Sequence, residues 1–236
     1  MPSDPLRETA ATTPRLWMRL TRRCNNHCLF CHDAPAQNGD IIPLKEIRRQ
    51  LKKGRRQGYR RVVLSGGEAT LHPDFLEIIA SARRAGFDHI QTISNGRMFA
   101  YKDYLTAAIQ AGLKEITFSM HGHNARLHDA LTRSPGSFRQ ALAGLKNAVQ
   151  SERLIVSMDI VINRLNIRHL KNMIVFFYRL GIREFDLLNI IPFGEAWTHR
   201  QKLMYDPSKT LRELRQALDL GEKLSVCLWT NRFPPS

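Results

Sequence analysis

The chain has 236 residues, and its 36 lysines and arginines outnumber its 21 aspartates and glutamates, which gives a formal net charge of +15. Hydrophobic residues make up 43% of the sequence, enough to bury a sizeable core, so wholesale disorder is excluded. No apolar run reaches the roughly 18 residues that a membrane-spanning helix needs. The length fits one large domain.

Three of the four cysteines, Cys24, Cys28 and Cys31, lie on one short segment with the spacing C-x3-C-x2-C. The fourth, Cys227, is far away in the sequence. Such bunching does not fit a disulfide framework and indicates a reducing compartment, which we take to be the cytoplasm.

Three thiolates on one loop can hold a 4Fe–4S cluster, because soft sulfur ligands suit iron. Three ligands would leave one iron open to a substrate or cofactor. The same cysteines with His32 could instead form a Cys3His zinc site. They could also be unrelated buried thiols, because free cysteine packs as a small hydrophobe. The cysteines alone leave all three interpretations open.

The first predicted element is a strand at residues 15–21, where apolar and polar side chains alternate. Runs of β-branched and apolar residues predict five more strands at 61–65, 89–94, 115–120, 154–162 and 184–190, and a seventh at 224–229. Helical periodicity and glycine stops predict helices at 43–56, 72–85, 102–110, 137–149, 167–180 and 208–220. The Ser-Phe-Arg-Gln at 137–140 matches a capping box that opens its helix.

This alternation of strands and helices predicts a parallel sheet with right-handed crossovers and helices on the outside. Six units are too few for a closed eight-stranded barrel. The predicted fold class is therefore α/β, a partial (β/α)6 TIM-like barrel. Polar and glycine-rich segments follow the strands, and ligand sites in such folds lie at the carboxyl ends of the strands.

Two motifs, one after the first predicted strand and one after the second, give the chain a resemblance to a known family. Cys24, Cys28, Phe30 and Cys31 fit the pattern C-x3-C-x-aromatic-C, and Gly66-Gly67-Glu68 directly follows the second predicted strand. The chain thereby resembles the radical S-adenosylmethionine (radical SAM) superfamily over about residues 14–195, and it looks most similar to small cofactor-biosynthesis and peptide-maturation members. It departs from the family at Ala69, where proline is common.

The resemblance implies a domain plan. Residues 15–195 are expected to be the radical SAM core, and residues 196–236 a C-terminal helix with an extra strand, which would fit a truncated tail. Residues 1–14 are rich in proline and acidic residues without an apolar core, which predicts a flexible leader rather than a secretory signal.

The resemblance also implies the chemistry. The three cysteines would hold a 4Fe–4S cluster whose open iron chelates SAM, and one electron would cleave the sulfonium to give a 5′-deoxyadenosyl radical. That radical would abstract hydrogen from an organic or peptide substrate. No residue of the sequence is identified as a catalytic hydrogen donor.

The resemblance assigns several residues to SAM. Gly66, Gly67 and Glu68 would hold the methionine end, and Phe30 would lie by the adenine. Weaker candidates at strand ends, for which capping or turn duty is an equal explanation, are Ser94, Asn95, Ser119, Asn163 and Pro192.

A dense basic stretch at 45–61 has nine lysines and arginines against the single Glu46. It fits a solvated helix face or a docking surface for an acidic electron donor such as flavodoxin or ferredoxin. Nucleic acid is disfavoured, because Tyr59 is the only aromatic residue there.

Three rival interpretations remain. The charge and His32 would suit a zinc-stabilised nucleic-acid-binding module, which does not explain the Gly-Gly-Glu turn. A non-catalytic scaffold with the same fold is disfavoured by the intact cysteines. A second metal at His121, His123 and His128 is disfavoured relative to surface or capping roles.

Overall fold

A computed structural model describes residues 14–233, so the expected flexible leader lies, apart from Pro14, outside the described residues. Its seven strands form one sheet in the order β1 to β7, and every neighbouring pair is parallel. The strands are β1 Arg15–Thr21, β2 Arg61–Gly66, β3 His89–Ser94, β4 Glu115–Ser119, β5 Ile155–Ile162, β6 Glu184–Asn189 and β7 Cys227–Asn231. Because β1 and β7 do not pair, the barrel stays open, and the predicted fold class is confirmed.

Helices connect the strands and cover the outer face of the sheet. The α-helices are α1 Leu44–Arg56, α2 Phe75–Arg84, α3 Lys102–Ala111, α4 Ala125–Thr132, α5 Ser137–Val149, α6 Leu170–Arg179, α7 Glu195–Thr198, α8 Arg200–Leu203 and α9 Pro207–Lys223. Short 3₁₀ turns lie at Ala34–Ala36, Ala69–Leu71, Met98–Ala100 and Ile167–His169. The helices bury apolar stripes, such as Ile47 and Leu51 of α1, in one main core. Between residues 14 and 233, none of these helices has the length and apolarity to cross a bilayer.

Several local features differ from the sequence predictions: α7 and α8 were not predicted, and the last strand begins at Cys227 instead of residue 224. Helix α4 was not predicted; it begins where the Asn124 side chain accepts a hydrogen bond from Leu127 N–H. The capping box at 137 does not form, because Gly136 occupies the N-cap position. Ser137 is the first helical residue, and its hydroxyl donates to Asp129 Oδ1 over 2.9 Å. The Asp129 carboxylate of α4 thus takes the place of the local cap that the sequence predicted.

The inner face of the sheet carries a buried polar network. Arg61 donates to Glu115 and, over 3.0 Å, to Gln91 Oε1. His89 Nε2 lies 2.8 Å from Glu115 Oε2, and Gln91 Nε2 donates to Thr117 Oγ1 over 2.8 Å. These side chains join β2, β3 and β4 at their amino-terminal halves, so this part of the barrel interior is polar and its buried Arg61 and Glu115 are paired.

The ends of β1 and β2 are joined by backbone. Gly67 N–H donates to Thr21 O over 2.9 Å, and Glu68 N–H donates to Arg23 O over 2.7 Å. A Cβ at Gly66 would lie 2.5 Å from Thr21 O, and one at Gly67 would lie 2.3 Å from Arg23 O. Two glycines are therefore needed for the turn after β2 to lie against the segment that leads into the cysteine loop.

We predict that Gly67→Ala destabilises the protein by about 3 kcal/mol, or roughly 9 °C in Tm, because the new methyl group meets backbone that cannot move aside. Gly67 does not adopt a positive φ, so the penalty is steric. Gly39→Ala is the matched control: φ is +86° there and nothing lies within 4 Å of the added Cβ, so only a backbone cost of about 1 kcal/mol applies. Thermal unfolding of the anaerobically purified proteins measures both, and equal losses would contradict the steric argument.

We also predict that Arg61→Leu lowers the free energy of unfolding by about 3 kcal/mol, since it leaves the Glu115 carboxylate buried without its cation. The neighbouring Arg60→Leu removes an ion pair to Asp88 in which the side chains are 69% and 54% exposed, and should cost less than about 1 kcal/mol. Urea unfolding of both variants makes the comparison. A larger loss for Arg60→Leu would refute the importance of the buried network.

Candidate cofactor site

A cavity of about 1650 Å³ occupies the inside of the open barrel and reaches the carboxyl ends of the strands. Ten of the twelve residues predicted for the site line it, namely Cys24, Cys28, Phe30, Cys31, Gly66, Gly67, Glu68, Ser94, Asn95 and Ser119. The structure thus gathers both sequence motifs, which are more than thirty residues apart in the chain, around one space.

Two predicted residues do not line this cavity. Asn163 is 0% exposed, and its side chain is used in the turn after β5, where Nδ2 donates to Val161 O and Oδ1 accepts from Leu165 N–H. Pro192 lies exposed in the loop after β6. Both positions therefore have turn roles that need no ligand.

The cysteine loop is held from the side of β4 by main-chain hydrogen bonds. His27 N–H donates to Thr132 O and Leu29 N–H donates to Leu131 O, each over 2.9 Å. The unpredicted helix α4 thereby presents its last carbonyls to the loop. Helix α4 is consequently part of the support of the site.

Further contacts fix the two ends of the loop. Asn95 Nδ2 donates to Asn25 Oδ1 over 2.7 Å, and Arg97 donates to Asn25 O and Asn26 Oδ1. At the other end, Glu195 N–H donates to Cys31 O over 3.0 Å. Loops after β3 and β6 thus hold the loop that leaves β1, which fixes the three thiols relative to the sheet.

The thiols themselves are free and shielded. None of the four cysteines forms a disulfide. Burial raises the pKa of Cys24 to about 12, and the nearby Glu68 carboxylate raises it further. Burial also raises the pKa of Cys28 and of Cys31, and the mutual proximity of the thiols contributes for Cys28. Their thiolates consequently need a positive metal centre, which binds sulfur and displaces the protons.

The three thiols around the cavity are the soft donors that an iron–sulfur cluster uses. Among residues 14–233, no group of three or more His, Cys, Asp or Glu side chains converges so as to hold one metal ion. In a 4Fe–4S cluster each thiolate binds a different iron, so the sulfurs need not converge on one point. Three soft donors around a shared cavity fit that group.

Glu68 is the best-fixed carboxyl group of the cavity. It is 2% exposed, and its oxygens accept hydrogen bonds from Thr70 N–H over 3.2 Å, Ser94 Oγ over 2.8 Å and Asn95 N–H over 2.7 Å. Burial raises the pKa of Glu68, whereas these hydrogen bonds oppose the rise. Ser94 and Asn95 thus orient Glu68, and a cationic ligand would stabilise its ionised form.

Two further groups line the cavity: His121, which the sequence suggested only as a metal ligand, and Asp159, which sequence reasoning missed. His121 packs its ring edge-on against Phe30, with centroids 4.5 Å apart and planes at 75°. Asp159 of β5 faces the interior beside Asp186 of β6, and burial together with Asp186 raises the pKa of Asp159 to about 8. Strand alternation would have pointed to Asp159. Helices cover the outer face of the sheet, so an acidic residue inside the apolar run 155–162 is expected to face the barrel interior.

Comparison with known proteins supplies the family. The sequence profile of the Radical SAM superfamily matches residues 18–177. The chain is 29% identical over 213 residues to a probable GTP 3′,8-cyclase of Saccharolobus solfataricus, covering 89% of this chain and 65% of the relative. It is 27% identical over 212 residues to a probable GTP 3′,8-cyclase of Sulfurisphaera tokodaii, covering 88% of this chain and 66% of the relative. The chain thus spans about two thirds of the length of these relatives.

Solved structures share the fold at low identity. Streptococcus suis SuiB bound to its precursor peptide SuiA superposes with a TM-score of 0.76 at 15% identity, covering 93% of this chain and 49% of SuiB. The protein anSMEcpe with bound AdoMet and the Kp18Cys peptide gives a TM-score of 0.71 at 15% identity, covering 91% of this chain and 64% of that protein.

The profile match covers most of the chain, and it includes both the cysteine loop and the Gly-Gly-Glu turn that line the cavity. Members of the matched family bind a 4Fe–4S cluster and SAM, and they need a reductant and a substrate. The resemblance expected from the two motifs is confirmed: this chain belongs to the radical SAM superfamily.

Proposed function

We propose that this chain is an enzyme that reductively cleaves SAM at a 4Fe–4S cluster and uses the 5′-deoxyadenosyl radical to abstract hydrogen from an organic or peptide substrate. Cys24, Cys28 and Cys31 are the proposed cluster ligands. One observation carries the proposal: three free thiols and the Gly66–Glu68 turn line one cavity at the carboxyl ends of the strands. Four free cysteines in the described residues also support the cytoplasm as the compartment.

The residues at the cavity wall have distinct proposed roles. Glu68 would accept hydrogen bonds from the methionine ammonium group, and Gly66 and Gly67 keep the turn close to the cysteine loop. Phe30 would contact the adenine, and Ser119 at the end of β4 would contact the ribose or the carboxylate. Asn163 and Pro192 are proposed only as supports of the loops after β5 and β6.

The substrate space is proposed to be the part of the cavity that the inner faces of β5 to β7 line. Asp159, Asp186 and Trp229 face that space. The relatives named probable GTP 3′,8-cyclase suggest a small molecule, whereas SuiB was solved with a peptide.

The cluster assignment is tested by metal content. Protein purified without oxygen should carry about four irons per chain, and Cys24→Ser should lose most of them, because a serine oxygen is a poor ligand for this cluster. Cys227→Ser is the matched control, since Cys227 also lines the cavity, on the distant strand β7, and should leave the iron content unchanged.

One zinc per chain in place of iron would refute the cluster. If iron is present, dithionite and SAM should yield 5′-deoxyadenosine. A fully loaded protein that forms none under these conditions would be a scaffold instead of an enzyme.

The proposed electron donor is an acidic protein such as flavodoxin or ferredoxin that docks on α1. Arg48 and Arg49 are engaged in ion pairs with Glu77 and Glu46, and Arg55 lies over the Phe87 ring at 5.6 Å from its centroid. The exposed cations that remain on the basic stretch as docking groups are Lys45, Lys52, Lys53 and Arg56.

We predict that the double variant Lys52→Glu and Lys53→Glu slows cluster reduction by flavodoxin about tenfold at low salt and flattens its salt dependence. The matched control makes the same charge change elsewhere, with Lys171→Glu on α6 and Lys223→Glu on α9, both exposed. Reduction by dithionite, which needs no docking surface, should be the same in all three proteins. Unchanged flavodoxin kinetics in the α1 variant would reject this surface.

A further inference from the structure

Two carboxyl groups on neighbouring strands face the cavity and have no part in binding the cluster or SAM. Asp159 of β5 and Asp186 of β6 are partners in the strand register, so their side chains leave the sheet on the same face. Both residues line the cavity. Neighbouring strands lie about 5 Å apart, which brings the two carboxyl groups close together.

The Asp159 carboxyl group has no protein partner. Within residues 14–233 it forms no hydrogen bond and no ion pair, and its oxygens are open to the cavity instead of being sealed in the core. Asp186 Oδ1 accepts one hydrogen bond, from Asn231 Nδ2 over 2.7 Å. Burial raises the pKa of both aspartates. Buried acceptors of this kind normally have a donor, so a ligand in the cavity is the expected partner.

The protein's own cations do not contact this pair of aspartates. The charges of Arg232 and Arg15 oppose the rise in the pKa of Asp186. Neither guanidinium group, however, forms an ion pair with either aspartate in the part of the chain that the structure describes. The pair thus has room for a cation that binds both carboxyl groups directly.

An aromatic side chain stands beside the pair. Trp229 of β7 is the register partner of Asp186, and it lines the same cavity. Its Nε1–H donates to Glu184 Oε1 over 2.9 Å, which fixes the indole ring. An indole next to carboxylates suits an organic cation, because the ring attracts positive charge and packs against alkyl groups.

We propose that Asp159 and Asp186 bind a primary ammonium group of the substrate, with Trp229 against the carbon chain that carries it. This inference rests on the proposed function, and it names the substrate class as a primary alkylamine. Ser119, the proposed contact of the ribose or the carboxylate of SAM, is the register partner of Asp159 on the other side. An amine held at Asp159 would therefore lie about one strand spacing from SAM, with its C–H bonds near the site of the radical.

The test measures binding without turnover, in oxidised, iron-loaded protein with SAM present. The probes are 2-phenylethylammonium and 2-phenylethanol, which have nearly the same shape and differ in charge. By isothermal titration calorimetry, the wild type should bind the ammonium at least about tenfold more tightly than the alcohol, because charged hydrogen bonds are stronger than neutral ones. Asp159→Asn and Asp186→Asn should each raise the Kd of the ammonium about tenfold and leave that of the alcohol unchanged.

Asp88→Asn is the matched control, since it removes a surface carboxylate whose side chain is 54% exposed. Both Kd values should stay as in the wild type. A blocked Gly-Lys-Gly peptide is a second ammonium probe: tighter binding than 2-phenylethylammonium would place the substrate amine on a peptide, and weaker binding would place it on a small molecule.

Several results would overturn the inference. One is absent ammonium binding, or equal Kd values for ammonium and alcohol, in the wild type. Another is an ammonium Kd that neither Asn variant changes. Equal losses for both probes would assign the aspartates a structural role, and displacement of the ammonium by equimolar Mg²⁺ would assign them to a metal ion.

Failure of the proposed function gives a different result. An iron-loaded wild type that forms no 5′-deoxyadenosine with dithionite and SAM would reject the proposed function, even if the ammonium binds. Formation of 5′-deoxyadenosine without any preference for the ammonium would reject only the present inference.

Discussion

The site depends on the backbone contact between the end of β1 and the turn after β2. Two main-chain hydrogen bonds, from Gly67 to Thr21 and from Glu68 to Arg23, bring the cysteine loop and the carboxyl group that faces it to one place. Neither bond forms if a side chain is present at Gly66 or Gly67, because the space is filled by the carbonyls of residues 21 and 23. The glycines of the motif thus act first as a structural joint, and their closeness to a cofactor follows from that joint.

The open barrel explains how this joint can be rigid while the interior stays accessible. Between β2, β3 and β4, the interior is polar and the charge of Arg61 is paired with that of Glu115. Although β1 and β7 do not pair, one cavity is lined by residues from every strand of the sheet. The cysteine loop is anchored by loops after β2, β3 and β6 and by the end of α4, so its shape depends on the whole fold.

Local signals explain what the sequence could predict. The bounds of β1, β3 and α5 agree with the sequence patterns, because strand alternation and helix periodicity are local properties. The short helix α4 was missed because eight residues carry little periodicity, and its start depends on the side chain of Asn124. The capping box failed because Asp129, from another helix, competes for Ser137. Non-local partners of this kind are invisible to a pattern in one segment.

Within the site as well, local patterns could be recognised from the sequence, whereas contacts between distant segments could not. The spacing of the cysteines and the Gly-Gly-Glu turn are sequence properties, so both motifs could be recognised. That Ser94 and Asn95 bind Glu68 could not be foreseen, because it requires the register of β2 and β3. His121 was considered only as a metal ligand, since its contacts with Val161 and Phe30 exist only in the folded chain.

The pKa shifts of the groups that line the cavity share one direction, towards the neutral form. Although the chain carries a net charge of +15, burial raises the pKa of Cys24, Glu68 and Asp159 and lowers that of His121, so every one of these groups is driven towards its neutral form. Ionising these buried groups costs free energy when no ligand is present. A ligand that brings positive charge to the thiols and to Glu68 offsets that cost. Iron, the ammonium group of methionine and the sulfonium are all such ligands. These cations would stabilise the ionised forms of the thiols and of Glu68, so the electrostatics of the cavity suit these cofactors.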